Sequence, residues 1–270
     1  MPRTANNTEK RSSNQATSKL LHLLTIITAA RVPLRLQEIT AQVQMPQATT
    51  LRYLNGLIED GYVFQEADSL RYMPTWRLCK MGDQIKNHLS IRTMSGTLVS
   101  DLSAQLSLGA CLVIEQDYQC VYLDCVDMPT RLSGTLTRIG KKTPLHSSGS
   151  GKLFLSQYTD QELDKMIDTV GLIKLTDHTI TDKQALIQEL EHIRAQGYAI
   201  DNEECEPDLH CVSVPVYSYD ETVYAAISVF GSVEALPLNT ISEQILPSLR
   251  QAARTLSVRL GSRIELHPTL

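Results

Sequence analysis

The 270-residue chain contains no run of about 18 apolar residues, so no segment reads as a membrane span. Its opening, "MPRTANNTEKRSSNQATSK", lacks the apolar stretch of a secretory signal and reads as a polar, mildly basic, unstructured tail. CxxC pairs are missing as well. The six cysteines (Cys79, Cys111, Cys120, Cys125, Cys205 and Cys211) fall mostly in apolar, strand-like runs such as "ACLVIEQDYQCVYLDCV". That placement fits buried thiols in a reducing compartment better than a disulfide framework, and implies a cytoplasmic protein. No internal repeat is present, and no low-complexity segment beyond the tail. What remains is an ordinary soluble composition, 42% hydrophobic and 20% charged, long enough for two domains.

Net charge is −5, unevenly spread. Residues 1–80 carry ten Lys/Arg against six Asp/Glu, a balance of +4, while the other 190 carry fifteen against twenty-four, a balance of −9. A basic end on an acidic body suggests that the small end meets a polyanion.

Helical periodicity appears in "SKLLHLLTIITAAR", with Leu20, Leu24 and Ile27 on one face. Pro33 ends that helix, and Leu36, Ile39 and Val43 mark a short second one. A third starts at Pro46 and stops at Gly61. Two β-type runs then flank "EADS", a hairpin signal. Three short helices and a hairpin in under 80 residues follow the order of a winged helix-turn-helix. At 100° per residue, Thr50, Leu51, Leu54, Leu57 and Ile58 gather on the side expected to pack, and Thr49, Arg52, Tyr53 and Gly56 on the other, with Gln47 near the N-terminus. The second set suits a major groove: Arg can read guanine or grip phosphate, and Thr can touch phosphate or a thymine methyl. A solvated helix face would look the same. Thr50 also stands among the candidate DNA contacts as a hydroxyl on this helix. Arg71, on the hairpin's second strand, and Arg35, before the second helix, are phosphate candidates or plain surface charges.

A long helix is expected next, and then alternating strand-like runs, two amphipathic helices, a second hairpin pattern around "SYDET" and a closing helix. Strands, helices and strands in that order imply an α+β domain with a mostly antiparallel sheet. The expected divisions are a tail over 1–16, a winged helix-turn-helix over 17–80, a linker helix over 81–106, a second domain over 107–262 and a tail over 263–270.

"LHSSGSGKLFL" (145–155) is the most enzyme-like stretch. A phosphate-binding loop needs glycine five residues before its Gly-Lys and Ser or Thr after the lysine; His146 and Leu153 stand there instead. His146, Ser147, Ser148 and Ser150 are close in sequence but lack a nucleophile-elbow pattern and an orienting carboxylate. His146 reads as a partly buried loop residue and Ser147 or Ser148 as a helix N-cap. "DNEECEPDLHC" offers Glu204, Cys205 and His210 as metal ligands, but its spacing is irregular and a solvated turn fits it better. No enzyme activity, cofactor or metal is therefore expected. A glycine-serine turn into a helix N-terminus could instead hold the anionic end of a ligand on backbone N–H groups.

Five segments carry a family resemblance: "MPQATTLRYLNGLIEDGYV", "SLRYMPTWRLCKMG", "RIGKKTPLHSSGSGKLFLS", "IRAQGYAIDNEECEPDLHCVSVPV" and "VYAAISVFG". From about Lys19 to Gly261 the chain resembles IclR-family transcriptional regulators. The resemblance implies a winged helix-turn-helix, a linker helix and a GAF-like (profilin-like) effector domain. It implies a double-stranded DNA operator, a small organic or aromatic acid as effector, and self-association as dimer or tetramer. A ligand-sensing or interaction module that has lost DNA binding is the alternative. By resemblance the effector pocket falls on Thr135, Thr143, Gly149, Ser150, Asp201, Leu209, Cys211, Ser228 and Phe230, with Cys211 and Ser228 at facing strand positions. Three departures stand out. Phe230 replaces a frequent small hydroxyl residue and would shrink or dry the pocket. Asp208 replaces a glycine, at a turn that Asp can tolerate at positive φ. Ala48 replaces a serine on the recognition helix.

Overall fold

The computed structural model describes residues 6–88, 90–127 and 142–264, with backbone alone at 6–14 and 86–88, and the chain divides after Leu89 into two compact units. Among the described residues no helix is long and apolar enough to cross a membrane.

In the first unit, helix α1 (Asn6–Ala29) begins well inside the stretch expected to be an unstructured tail. The reason is local: Asn6 to Arg31 contains neither proline nor glycine, and Glu, Lys, Arg, Gln and Ala are good helix formers. Its buried residues are Leu23 and Ile27, with Leu20, Leu24 and Ile26 half-buried beside them. Helix α2 (Leu36–Val43) starts where the Arg35 N–H donates to Glu38 Oε2 at 2.6 Å, and buries Ile39 and Val43. Gln44 takes a left-handed turn (φ 52°), Met45 plugs the core, and Pro46 opens α3 (Gln47–Glu59). Gly61 at φ +75° then reverses the chain. Strands β1 (Val63–Gln65) and β2 (Tyr72–Pro74) form the antiparallel wing, and Leu34 exchanges two backbone hydrogen bonds with Tyr72, at 3.0 and 2.7 Å. Helix α4 (Arg77–His88) completes the unit.

The single linker helix expected over 81–106 is instead broken. After α4 come α5 (Ile91–Ser95) and α6 (Leu98–Leu106). Ser90 caps α5 by accepting from the Thr93 N–H at 3.1 Å, and Gly96 at φ +55° separates α5 from α6. Ile91, Val99 and Leu102 are pulled into the second unit's core, so burial overrides a continuous helical period.

The second unit is a six-stranded antiparallel sheet: β3 (Gly109–Gln116), β4 (Gln119–Val126), β5 (Lys142–Pro144), β6 (Ala199–Asn202), β7 (Leu209–Tyr217) and β8 (Val223–Ser232). Their order is β5-β4-β3-β8-β7-β6. Alternation assigns the faces. Ala110, Leu112, Val212, Val214, Ile227 and Val229 pack with α5, α6 and α10 (Leu246–Arg259), which follows a turn of π-helix at Ile241–Ile245. Cys111, Val113, Ala226 and Phe230 point the other way, against α7 (Gly149–Leu155), α8 (Asp160–Val170) and α9 (Lys183–Gln196). The α+β architecture expected from the sequence is the one observed. Cys111 and Cys120 are buried, Cys125, Cys205 and Cys211 half-buried, and Cys79, outside the strand-like runs, is exposed.

Candidate functional site

Helix α3 buries Thr50, Leu54 and Leu57, which turns its outward face toward Ala48, Leu51, Arg52 and Asn55. The face is rotated from the one the sequence suggested. Thr50 is fully buried and its hydroxyl donates to the Pro46 carbonyl at 3.3 Å, so it cannot touch DNA. Leu51, expected to pack, is 38% exposed. Hydrophobicity alone misplaced it, because the helix turns its Thr50–Leu54–Leu57 stripe to α1 and α2. Gln47 and Arg52 are exposed; Thr49 and Tyr53 are half-buried, and the Arg52 guanidinium lies 5.4 Å from the centre of the Tyr53 ring. Arg35 is exposed at the start of α2. Arg71 is already engaged: Nη1 donates to the Pro33 carbonyl at 2.8 Å and pairs with Glu38 at 3.5 Å. It fastens the wing to α2, and a phosphate would have to compete for it.

In the second unit Gly149 and Ser150 of α7 meet Ser213 and Ser228 of the sheet, with Cys211 and Asp201 close by and Thr143 apart on the edge strand β5. Ser148 caps that helix by accepting from the Gly151 N–H at 3.1 Å, and its hydroxyl lies 3.4 Å from Cys120 Sγ. The glycines answer to packing. A Cβ on Gly149 would lie 2.9 Å from Ser213 Oγ, and one on Gly151 would lie 2.1 Å from the Leu145 carbonyl oxygen. Between them, Ser150 Oγ sits 2.8 Å from Ser228 Oγ and 3.2 Å from Ser213 Oγ, and Ser213 and Ser228 are 2.8 Å apart. Three buried hydroxyls thus close a triangle.

The expected facing of Cys211 and Ser228 is corrected by the register. Cys211 stands opposite Phe230, and Ser228 opposite Ser213 on one side and Cys111 on the other. A shift of two residues keeps both on one face but sets them diagonally, with Cys211 Sγ 3.7 Å from Ser213 Oγ. Ser213 went unnoticed in the sequence, although alternation from Cys211 places it on the same face. Thr143 pairs with Cys120 at the sheet edge, 3.5 Å from the Tyr122 hydroxyl, and Leu209 is buried. Thr135 lies outside the described residues. The Phe230 ring covers Gly109, where a Cβ would meet it at 2.4 Å. Asp208 adopts φ 60°, the turn geometry that an Asp can take in place of glycine.

Asp201 is 2% exposed and its Oδ1 accepts from the Glu204 N–H (2.8 Å) and the Cys205 N–H (3.3 Å). Burial, reinforced by Glu204, pushes its carboxyl up to about 7 against those two hydrogen bonds. Close by is a feature the sequence did not signal. Lys152 is 1% exposed, with Nζ 2.5 Å from Glu204 Oε1 and 2.9 Å from Glu189 Oε1. Burial would lower its pKa, but the two carboxylates outweigh it and hold the ammonium charged. Glu204 is shifted up by its own burial, against the pull of Lys152.

The enzyme readings meet specific obstacles. Lys152 is a buried ion-pair partner and unavailable to a phosphate. His146 Nε2 donates to the Ile173 carbonyl at 3.0 Å, and burial lowers its pKa. Ser147 donates to the Pro144 carbonyl, Ser148 caps α7, and Ser150 belongs to the triangle, so each neighbouring serine is otherwise engaged. Glu204 is tied to Lys152, and His210 to the Leu236 carbonyl and Asn202. Among the described residues no group of three or more His, Cys, Asp or Glu side chains is placed to hold a metal ion.

Comparison with known proteins agrees with this division into two units. The model of the IclR helix-turn-helix domain matches residues 16–67, and that of the bacterial transcriptional regulator IclR C-terminal domain matches residues 84–258. The chain is 31% identical over 232 residues to the HTH-type transcriptional regulator KdgR of Escherichia coli, covering 83% of this chain and 84% of that one. The crystal structure of the Thermotoga maritima IclR superposes with a TM-score of 0.60 at 28% identity, covering 92% of this chain and 99% of that one. The inducer-binding domain of the PobR transcription factor from Acinetobacter, a double mutant in complex with 3-hydroxybenzoic acid, gives a TM-score of 0.59 at 26% identity over 63% of this chain and 98% of that one. The chain belongs to the IclR family: it is a DNA-binding transcriptional regulator controlled by a small-molecule effector, and not an enzyme.

Proposed function

We infer that the face of the sheet beneath α7 is the effector site and that a small organic or aromatic acid is its ligand. The observation that carries this reading is the buried Ser150–Ser213–Ser228 triangle, a set of hydroxyls that can exchange their mutual bonds for bonds to a guest. Gly149 and Cys211 lie beside it, with Asp201 next to Gly149, and Thr135, Thr143, Leu209 and Phe230 are added by family resemblance. PobR, solved with 3-hydroxybenzoic acid, supports trying hydroxybenzoates first. On the DNA side, the exposed Gln47 and Arg52 supply groove-facing contacts, with the half-buried Thr49 and Tyr53 at the margin of that face and Arg35 on phosphate. Two copies, as a dimer or within a tetramer, would set two recognition helices into successive major grooves of a roughly palindromic operator. The effector acts by preferring one arrangement of the paired heads by about 1–3 kcal/mol. The protein works in the bacterial cytoplasm, where its operator is.

Two measurements test this. In a gel shift on the upstream region of its own gene, Arg52→Ala should weaken retention; unchanged retention contradicts the helix assignment. In a thermal-shift panel of hydroxybenzoates and small carboxylates, one compound should raise Tm, and Ser228→Ala should reduce its affinity. A confirmed ligand indifferent to Ser228 places the site elsewhere.

A further inference from the structure

Gln47, Leu51 and Asn55 form one ridge along α3, spaced four residues apart, and all three are exposed. Each step advances about 6 Å along the helix axis and turns the side chain by only about 40°. The ridge starts in the first turn, the end that reaches base edges in helix-turn-helix proteins. One exposed leucine on a protein surface is ordinary. This one lies between two carboxamides on the helix that the fold turns toward DNA, with the exposed Ala48 three residues before it. Gln and Asn have the paired donor and acceptor that match the N7 and N6 edge of adenine. The partner of every adenine is a thymine, whose C5-methyl is the apolar group of the major groove. An isobutyl group flanked by two carboxamides therefore has the chemistry of a stretch of A·T pairs.

We propose that Leu51 reads a thymine methyl group in each operator half-site, and that the Gln47–Leu51–Asn55 ridge selects an A·T-containing step there. The charged contact is separate. Arg52 lies about 100° further round the helix, over the Tyr53 ring, and contributes guanine or phosphate binding independent of the methyl. Leu51 lies outside the unit's buried cluster, so its removal should leave the fold in place.

The test begins with full-length protein selecting duplexes from a randomised double-stranded pool. Each thymine of the selected site is then replaced in turn by deoxyuridine, which deletes one methyl and nothing else. Wild type should lose about fourfold in affinity at one thymine per half-site, the value of one buried methyl group. Leu51→Ala should bind thymine and deoxyuridine duplexes equally well there, with its dependence on salt unchanged. The proposal is overturned if no deoxyuridine position weakens wild type, or if Leu51→Ala retains the full deoxyuridine penalty. It is also overturned if Leu51→Ala changes only the sedimentation of the free protein, which would make the leucine a protein contact. Failure to enrich any duplex would instead count against DNA binding by this chain, a distinct outcome. The deoxyuridine scan on wild type needs no variant and stands by itself.

Discussion

Asp201→Asn is the most informative single perturbation of the sensor unit, because it removes a charge and keeps a shape. The carboxyl is buried on β6 and pushed from 3.8 up to about 7, chiefly by burial. In the unfolded chain it ionises near 3.8, so between about pH 4 and pH 7 the folded protein holds a proton that the unfolded chain has released. Stability therefore falls as pH rises through this window, and the full penalty remains above it. A difference of about 3 pKa units corresponds to at most about 4 kcal/mol at neutral pH. Asparagine keeps an oxygen to accept the Glu204 and Cys205 N–H groups, 2.8 and 3.3 Å away in the wild type, and cannot ionise. The variant should gain on wild type from pH 5 to pH 7 and hold a constant advantage at pH 8. Urea unfolding of the full chain, followed by far-UV circular dichroism at each pH, measures that difference, and the titrating groups not coupled to Asp201 cancel. Tryptophan fluorescence would miss it, since the single tryptophan, Trp76, is 86% exposed in the DNA-binding unit. A stability difference that stays flat from pH 5 to pH 8 would refute the reasoning.

Lys152→Met should cost roughly 3–5 kcal/mol by stranding the Glu204 carboxylate without its cation. Urea midpoints check this, and adding Glu204→Gln should recover part of the loss. Gly109→Ala drives a methyl into the Phe230 ring, costs about 1–3 kcal/mol, and should be relieved by Phe230→Leu in the same chain. Gly151→Ala meets the Leu145 backbone instead and should find no such rescue; equal recovery of both would contradict the contact geometry. Arg71→Ala should cost about 1 kcal/mol, for one hydrogen bond and a half-exposed ion pair. It should also speed hydrogen exchange in the wing, which Arg52→Ala should leave unchanged.

The helices, the wing and the antiparallel sheet were legible because each follows from short-range pattern: proline and glycine at the ends, a 3.6 period, strict alternation. Register was not. The diagonal placement of Cys211 and Ser228 depends on how β7 and β8 align over their whole length, which no local motif encodes. The face of α3 was misjudged for a related reason, since Thr50 and Leu51 compete for the interior and only the packed neighbours decide between them. Lys152 gave no signal because a lysine on an amphipathic helix normally reaches solvent, and its two carboxylate partners lie 37 and 52 residues away. The break at Ser90 and Gly96 was written in the chain, but a helical period running past both residues masked it.

The serine triangle has a polarity of its own. Each hydroxyl has one proton to give and two lone pairs to receive with. In a closed ring of three, every proton is spent on a neighbour, and each oxygen keeps one lone pair in hand. The Cys211 thiol can fill the one on Ser213, which leaves Ser150 and Ser228 as acceptors. A guest that donates, such as a phenol or alcohol O–H, can join the ring as it stands. A bare carboxylate must first open one of its three links. If the proposed effector binds at this ring, acids of equal size that bring a hydroxyl to the serines and turn the carboxylate elsewhere should bind best.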